Sequence, residues 1–368
     1  MKYISCFSGV GGLEGAAPPM AYCEIDEECR SVLSSRFPEA LGHDDVSTFT
    51  PPKADVVTGG WPCQDISVAG NQVGLAGGRS KLFYELVRVA VSAQAETLVA
   101  ENVPNLLTLN RGREFSSVLN ELQEVGYKNI AWRLLNARDF GLPHERRRVL
   151  IVASKNEETA LSIHREIPEY KVKKKAKTIS AGFYWTAGLQ SICYSVGFCP
   201  TLKVGSSLGI ASPPAVHYNG VVRKLTSDEA LKLQGFDPAD FDGVKLSSIY
   251  RMAGNAVAVP VGRFVLDGVS NPKQLGDLET IGQRDLFGFS SSDEISYPKS
   301  GIWKDGQVLE VISTEPNKSS NLSDFIDLKS NERLSTRAAK GFLSRLDRSG
   351  KECPESLLAD LEAIIQET

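Results

Sequence analysis

No two of the seven cysteines stand in a CxxC spacing, and their number is odd. That pattern argues against a disulfide framework or a zinc ribbon and suits reduced thiols. Histidine is scarce too. His43, His144, His164 and His217 lie far apart in sequence, so no metal centre is expected. No apolar run approaches the roughly 18 residues that a membrane helix needs. The opening residues carry no secretory signal, which leads us to expect a cytoplasmic protein with no membrane partner. No internal repeat is visible. A net charge of −4 gives no global sign of nucleic acid, so any such sign has to be local.

One absence is such a local sign. From Tyr170 to Ser227 there is not one Asp or Glu. The same stretch carries Lys171, Lys173, Lys174, Lys175, Lys177, Lys203, Arg223 and Lys224, interleaved with Phe183, Tyr184, Trp185, Tyr194, Phe198 and Tyr218. A run of charge is often only a solvated face. A basic, aromatic-bearing segment inside an acidic chain is better explained by a surface that meets phosphates.

What is present is ordinary in bulk: 368 residues, 42% hydrophobic and 23% charged, enough for a large domain and a smaller one. Lys2 to Phe7 reads as a first strand. The turn Ser8-Gly9-Val10-Gly11-Gly12-Leu13 follows it and is expected to open a helix. Ala21-Tyr22-Cys23 reads as a second strand ending in Glu24, where Rossmann-like folds grip a ribose hydroxyl. The Gly-to-Glu gap is shorter than in a dinucleotide site, which favours a compact nucleoside cofactor. Asp45 precedes the next strand, where it either faces an adenine edge or stands in a solvated turn. That strand, Ala54 to Thr58, is expected to end at Gly59 and Gly60 and lead into Trp61-Pro62-Cys63-Gln64-Asp65-Ile66-Ser67. A lone cysteine is most often a small buried hydrophobe. This one leaves a parallel strand, where open α/β sheets place their chemistry.

Glu101 stands on the same rim, at the end of the strand Thr97 to Ala100. An acid there has to be solvated, paired or functional. Arg146 and Arg148 are two apart and share a face if the segment is extended, which suits an anion or carboxylate. The alternative is a basic surface turn. Thr226 and Glu229 form a capping box for a helix. Gly254-Asn255-Ala256-Val257 is a turn feeding a helix through Val269. Residues 335–346 and 354–365 read as amphipathic helices.

Taken together, these residues resemble the cytosine-C5 DNA methyltransferases over about residues 1–155 and 223–270, in that family's motif order. Phe7-Ser8-Gly9-Val10-Gly11-Gly12 is similar to its cofactor glycine motif, Pro62-Cys63-Gln64 to its nucleophile loop and Glu101-Asn102-Val103 to its base-contacting acid. Arg146 and Arg148 are similar to the arginines of its QxRxR motif, with His144 where glutamine is usual. Arg223 to Phe236 and Gly254 to Val257 resemble its last two motifs.

The resemblance implies an α/β fold: a Rossmann-like S-adenosylmethionine-dependent core, an inserted smaller recognition domain and a C-terminal helical tail. The expected boundaries are 1–155 plus 245–270 for the catalytic domain, 156–244 for target recognition and 271–368 for an accessory extension. It implies Cys63, Glu101, Arg146 and Arg148 as catalytic. For S-adenosylmethionine and its product S-adenosylhomocysteine it implies Phe7, Gly9, Gly11, Gly12, Glu24, Ile25, Asp45, Val46, Trp61, Leu82, Asn255 and Val257. Gln64, Ser67, Lys173, Lys174, Lys175 and Arg223 are expected to touch double-stranded DNA. The implied activity is DNA (cytosine-5-)-methyltransferase, acting through a Cys63 adduct on a flipped-out cytosine, with a cognate restriction endonuclease in the same cell. A tRNA cytosine-C5 methyltransferase on the same core is the alternative enzyme, and a catalytically inactive DNA-binding regulator the alternative class.

If the lysines of 171–177 face phosphates, replacing Lys173, Lys174 and Lys175 by alanine will weaken binding to all DNA sequences alike. The slope of log affinity against log salt will flatten by roughly 0.9 for each phosphate no longer neutralised. An unaltered slope means that they are a solvated face.

Overall fold

The structure is a computed structural model. It describes residues 1–15, 17–62, 81–170, 180–184, 193–204, 213–273, 278, 280–285, 297–304, 307–312, 320–330, 332–350 and 353–366. In chain order the described elements begin with β1 (Tyr3–Cys6), β2 (Ala21–Cys23), α1 (Glu27–Arg36), β3 (Leu41–His43), β4 (Val56–Gly60), α2 (Lys81–Ser92), β5 (Thr97–Asn102), α3 (Arg113–Glu124), β6 (Asn129–Asn136), β7 (Arg147–Ser154) and α4 (Glu157–Leu161). They continue with β8 (Ser180–Tyr184), β9 (Cys193–Val196), β10 (Ala215–Tyr218), β11 (Val221–Lys224), α5 (Ser227–Lys232), α6 (Leu246–Asn255), α7 (Val259–Ser270), β12 (Thr280–Asp285), β13 (Ser300–Lys304), β14 (Gln307–Val311), α8 (Thr336–Ser349) and α9 (Glu355–Gln366).

The chain divides into two units. The first holds Met1–Asn136, Arg147–Ile167 and Val259–Glu315, and the second holds Ala137–Arg146, Pro168–Ala258 and Pro316–Thr368. These units cut the chain differently from the expected domains. The first part of 271–368 belongs to the first unit and its second part to the second. The expected catalytic stretch 245–270 is likewise divided, between Ala258 and Val259.

The first unit is built on one sheet of order β12-β14-β13-β6-β7-β5-β4-β1-β2-β3. The pairs β2/β3, β1/β2, β1/β4 and β4/β5 are parallel, and β5/β7 and β6/β7 are antiparallel. Every residue of β1 and β5 is buried, as strands covered on both faces require. Chain order reverses between β1 and β4, and that switch point is where open α/β sheets bind ligands. Asp26 caps α1 by accepting the Cys29 N–H at 3.0 Å. Helix α2 buries Phe83, Leu86, Val87, Val89 and Ala90. Helix α7 returns to the turn after β1: a side chain at Gly262 would collide with the Gly12 and Leu13 carbonyls.

The strand before Cys63 does not stop at its glycines. Gly59 and Gly60 pair in register with Ala100 and Glu101. A Cβ at Gly59 would stand 2.7 Å from Leu86 Cδ1. The space beside the strand is already filled, so the glycines fit it rather than end it. The polar region 271–330 also supplies β12, β13 and β14, with Ile302 opposite Ala131 and Trp303 opposite Ile130. Trp132 Nε1 donates to the Pro298 carbonyl at 3.0 Å, and Trp303 Nε1 to Gln123 Oε1 at 2.7 Å. This part of the tail completes the central sheet.

The second unit holds an antiparallel sheet of order β11-β10-β8-β9. Helices α8 and α9 cover it through one apolar cluster that includes Phe183, Val222, Phe342, Leu357 and Leu361. The rings of Phe183 and Phe342 lie 5.2 Å apart. His217 on β10 links the layers: Tyr194 Oη lies 3.0 Å from its Nδ1 and Asp360 Oδ2 2.8 Å from its Nε2. Leu361 is fully buried, so Leu361→Ala will destabilise the protein by about 3 kcal/mol through lost burial and a cavity. Denaturant unfolding measures it, and a loss below about 1 kcal/mol would mean that α9 is not part of this core.

Candidate active site

The turn after β1 forms no helix, contrary to expectation. Phe7 (φ 53°), Gly9 (φ 55°) and Gly11 (φ 83°) all take left-handed backbone, which breaks helical continuity. The reason lies beneath the turn. A Cβ at Gly11 would stand 2.6 Å from Arg36 Nη1 and 2.8 Å from Phe37 Cε2. Arg36 donates to the carbonyls of Val10, Gly11 and Gly15, pinning the turn to α1. Above Gly9 the space is open within 4 Å.

Glu24, just past β2, turns its carboxylate back to this turn. It accepts the Gly9 N–H at 2.7 Å and the Asp26 N–H at 2.9 Å. Burial pushes its carboxyl above the usual range, and these two N–H groups pull it back. Ile25 beside it is 79% exposed, an apolar side chain left uncovered at the rim. Asp45 is exposed and accepts both the N–H and the hydroxyl of Ser47, at 2.9 and 2.7 Å. Those bonds hold its carboxyl below the usual range. Val46 is buried, and its carbonyl accepts from Arg88.

At the end of β4, Trp61 is buried with its ring 5.1 Å from that of Phe83. Its carbonyl accepts from Asn102 Nδ2 at 3.2 Å, while its indole Nε1 is buried without a hydrogen-bond partner among the described residues. Leu82 packs partly buried against the same core. Phe7, Gly9, Gly11 and Gly12 lie on the turn after β1, and Glu24, with Ile25 beside it, is tied to that turn through the Gly9 N–H. Asn255 and Val257 belong to the second unit.

Of the catalytic residues, Glu101 and Arg148 are brought together. Glu101 pairs with Leu150 across β5 and β7, so Arg148, two residues away, shares its face. Arg148 Nε lies 2.8 Å from Glu101 Oε1, with both side chains largely buried. The opposite side of the carboxylate is left to Gly60, where a Cβ would stand 2.6 Å from Glu101 Oε2. Gly60 and Asn102 were not among the residues expected at the site, although the Gly-Gly pair and the Glu-Asn step were there to be read. Cys63, Gln64, Ser67, Lys173, Lys174 and Lys175 lie outside the described residues.

The two arginines of the pair do not share one partner. Strand β7 begins at Arg147, and Arg146 belongs to the second unit, where its Nη2 donates to the Asn255 carbonyl at 3.1 Å. His144 is fully buried, and its Nε2 accepts the Leu202 N–H at 3.0 Å. Standing where glutamine is usual, it ties two backbone segments together. Arg223 requires a correction. It was expected to touch DNA, but its guanidinium is fully buried and grips both oxygens of Glu229 at 2.6 and 2.8 Å. It also donates to Tyr218 Oη and to the Asp327 carbonyl. Burying an arginine requires such a full set of acceptors, and with them made it has no fork left for a phosphate.

Among the described residues no group of three or more His, Cys, Asp or Glu is placed to hold a metal. A cavity of about 1040 Å³ lies in the second unit, lined in part by Phe140, Tyr170, Thr226, Glu229, Phe236 and Asp327. None of the expected site residues lines it.

The family described as C-5 cytosine-specific DNA methylase matches residues 1–191 and 200–271. The Type II methyltransferase M2.BsuMI of Bacillus subtilis is 37% identical over 305 residues, covering 76% of this chain and 78% of that protein. The Type II methyltransferase M.NgoBI of Neisseria gonorrhoeae is 28% identical, covering 71% and 90%. Among solved structures, Spodoptera frugiperda DNMT2 superposes with a TM-score of 0.52 at 17% identity, over 74% of this chain and all of that one. The Entamoeba histolytica methyltransferase EhMeth gives 0.51 at 16% identity, over 73% and 97%. These structures share the fold.

Gly60 provides a test of the site's geometry. In Gly60→Ala the new methyl must displace the Glu101 carboxylate, because that atom is the free end of a side chain. We expect methyl transfer to fall by roughly tenfold or more, while the thermal midpoint moves by only a few degrees at most. Full activity in the folded variant would show that the position of Glu101 is not critical.

Proposed function

The chain belongs to the C-5 cytosine-specific DNA methylase family and is a DNA (cytosine-5-)-methyltransferase; we propose that it works through Cys63 as nucleophile and S-adenosylmethionine as methyl donor, on a specific duplex site in a restriction-modification system. The observation that carries this mechanism is the carboxylate of Glu101. It is locked by Arg148 on the strand that pairs in register with Gly60, and Cys63 follows three residues after Gly60.

The described residues fit the donor. Glu24 offers a carboxylate for ribose hydroxyls, Gly9 an uncovered backbone and Ile25 an uncovered apolar side chain for a purine face. The buried Trp61 Nε1 has a donor to give. Asp45, Val46 and Leu82 would border the adenine. When bound, S-adenosylmethionine supplies an electrophilic methyl group on a sulfonium.

Carbon 5 of cytosine is too weak a nucleophile to take a methyl group unaided. The Cys63 thiolate adds to carbon 6, and the displaced electron pair makes carbon 5 enamine-like. Glu101 accepts from the exocyclic amine, and as the adduct forms and N3 takes up a proton, its other oxygen accepts from the N3–H, stabilising the charge that develops there. Once carbon 5 carries the methyl, its proton leaves to a base, and the electron pair expels the thiolate from carbon 6. A stacked base admits no such approach, so the cytosine has to be flipped out. Four of the other thiols are poorly suited to the role. Burial pushes the Cys6 and Cys199 thiols up strongly, Cys23 to about 12 and Cys353 to about 11, leaving little thiolate near neutral pH.

Duplex DNA is the substrate in this reading. A recognition role for the second unit, a cytoplasmic location and a cognate endonuclease are part of the proposal. No described helix is long and apolar enough to cross a membrane. The tRNA-methylating and catalytically silent alternatives are not favoured by a family match that spans the expected catalytic motifs.

Fluorine at carbon 5 cannot leave as a cation, so a duplex carrying 5-fluorocytosine at the target site should trap the enzyme after methyl transfer. We expect a denaturation-resistant adduct that requires S-adenosylmethionine, maps to the Cys63 peptide and is lost in Cys63→Ala. An adduct at Cys193 or Cys199 would contradict the assignment. Methyl transfer to tRNA but not to duplex DNA, assayed side by side, would contradict the substrate.

A further inference from the structure

One carboxyl group lies wholly enclosed beneath the turn that follows β1. Glu14 is 1% exposed. Its Oε1 shares a hydrogen bond with Ser5 Oγ, which lies 2.7 Å from Ser8 Oγ. Ser8 Oγ in turn reaches the carbonyls of Ser5 and Cys23, at 3.2 and 3.5 Å. The Ser8 N–H also donates to the Cys23 carbonyl, at 3.3 Å. The other carboxyl oxygen, Glu14 Oε2, is buried without a hydrogen-bond partner among the described residues. This file of three side chains ends at Ser8, between the left-handed residues Phe7 and Gly9, and on the carbonyl next to Glu24.

We propose that Glu14 is a positioning residue for the S-adenosylmethionine site, acting through Ser5 and Ser8 on the turn that presents the Gly9 N–H to Glu24. The inference rests on the cofactor reading given under Proposed function. With the carboxyl neutral, every donor in the file has an acceptor: Glu14 donates to Ser5 Oγ, Ser5 to Ser8 Oγ, and Ser8 to a backbone carbonyl. Ionised, Glu14 would bury a charge with one oxygen bare. It would also set a second negative charge close to Glu24, whose carboxylate has to meet the ribose.

The surroundings favour the neutral form. Burial pushes the Glu14 carboxyl above the usual range and the Glu24 charge adds to it, while the Ser5 hydrogen bond, Glu14's own backbone N–H and Arg36 oppose. Arg36 on α1 directs its donors to the carbonyls of Val10, Gly11 and Gly15. Tyr3 and Cys6 on β1 are the other titratable groups that sense Glu14. On α7, the Arg263 backbone packs against Gly15.

The test is calorimetric binding of S-adenosylhomocysteine to the full chain. Glu14→Gln keeps a neutral donor of the same shape, and its affinity should stay within about threefold of the wild type. Glu14→Ala should weaken binding by roughly tenfold or more. Since the neutral form binds and burial raises the Glu14 carboxyl, wild-type affinity should fall as pH rises through that raised range, and the Gln variant should lack that component. The difference between the two profiles isolates Glu14 from Tyr3, Cys6 and the other titrating groups. A folded Gln variant as weak as the Ala variant would overturn the proposal, and so would identical pH profiles for wild type and Gln. Absence of wild-type affinity at every pH would overturn the cofactor reading itself.

Discussion

Glu101 can remain at the edge of the central sheet only because two neighbouring strands make room for it and answer its charge. The antiparallel register of β5 and β7 sets Arg148 diagonally beside it at 2.8 Å, and the parallel register of β4 and β5 sets Gly60 directly opposite. Removing one partner of a largely buried pair leaves an uncompensated charge that costs about 3–5 kcal/mol. The pair therefore fixes more than a side chain. It requires β7 to lie antiparallel next to β5, and it requires the strand leading to Cys63 to carry no side chain at Gly60. Asn102, one residue on, holds the Trp61 carbonyl from the other strand, so the chemistry-bearing ends of β4 and β5 are joined on both sides of the ladder.

The tail answers a related constraint, the need to cover strand edges. With β7 inserted between β5 and β6, β6 would be the last strand and would present unpaired backbone, which invites association. Strand β13 covers it, and Gly301 lies where only a glycine fits against the Trp132 indole. In the second unit α8 and α9 supply the apolar layer that the small sheet of four strands cannot provide for itself. The family match stops at residue 271, yet what lies beyond it closes the sheet of one unit and the core of the other.

Elements whose stabilising interactions are local or strongly patterned were legible in the sequence. The capping box of Thr226 and Glu229 is formed as expected, the near-continuous apolar strands β1, β4 and β5 are in place, and α8 and α9 fall within a few residues of the expected spans. What could not be read depends on distant partners. Strands β13 and β14 are five residues each, and their pattern becomes meaningful only against β6. The turn after β1 reads as a helix start until Arg36 and Phe37 fill the space beneath Gly11. Arg223 looks like a phosphate ligand because a basic segment shows its charge but not its burial, and its partner Glu229 was recognised only as a cap. The Glu101–Arg148 pair was half legible: both residues stood out, but only the strand register shows that they answer each other.

The division into two units also explains why the family motifs are scattered along the chain. The turn after β1, Glu24, Glu101 and Arg148 belong to the unit built on the large mixed sheet, whereas Arg146, His144 and Asn255 belong to the unit that carries the small sheet. Within that second unit Arg146 holds the Asn255 carbonyl, and His144 holds the Leu202 N–H. Segments far apart in sequence are thereby locked into one body from buried positions. Arg146 and Arg148 are two residues apart and read as a matched pair, but the chain passes from one unit to the other between them. A short, regular spacing can thus carry two physical tasks: one arginine organises the framework around Asn255, and the other fixes the acid at the rim of the sheet.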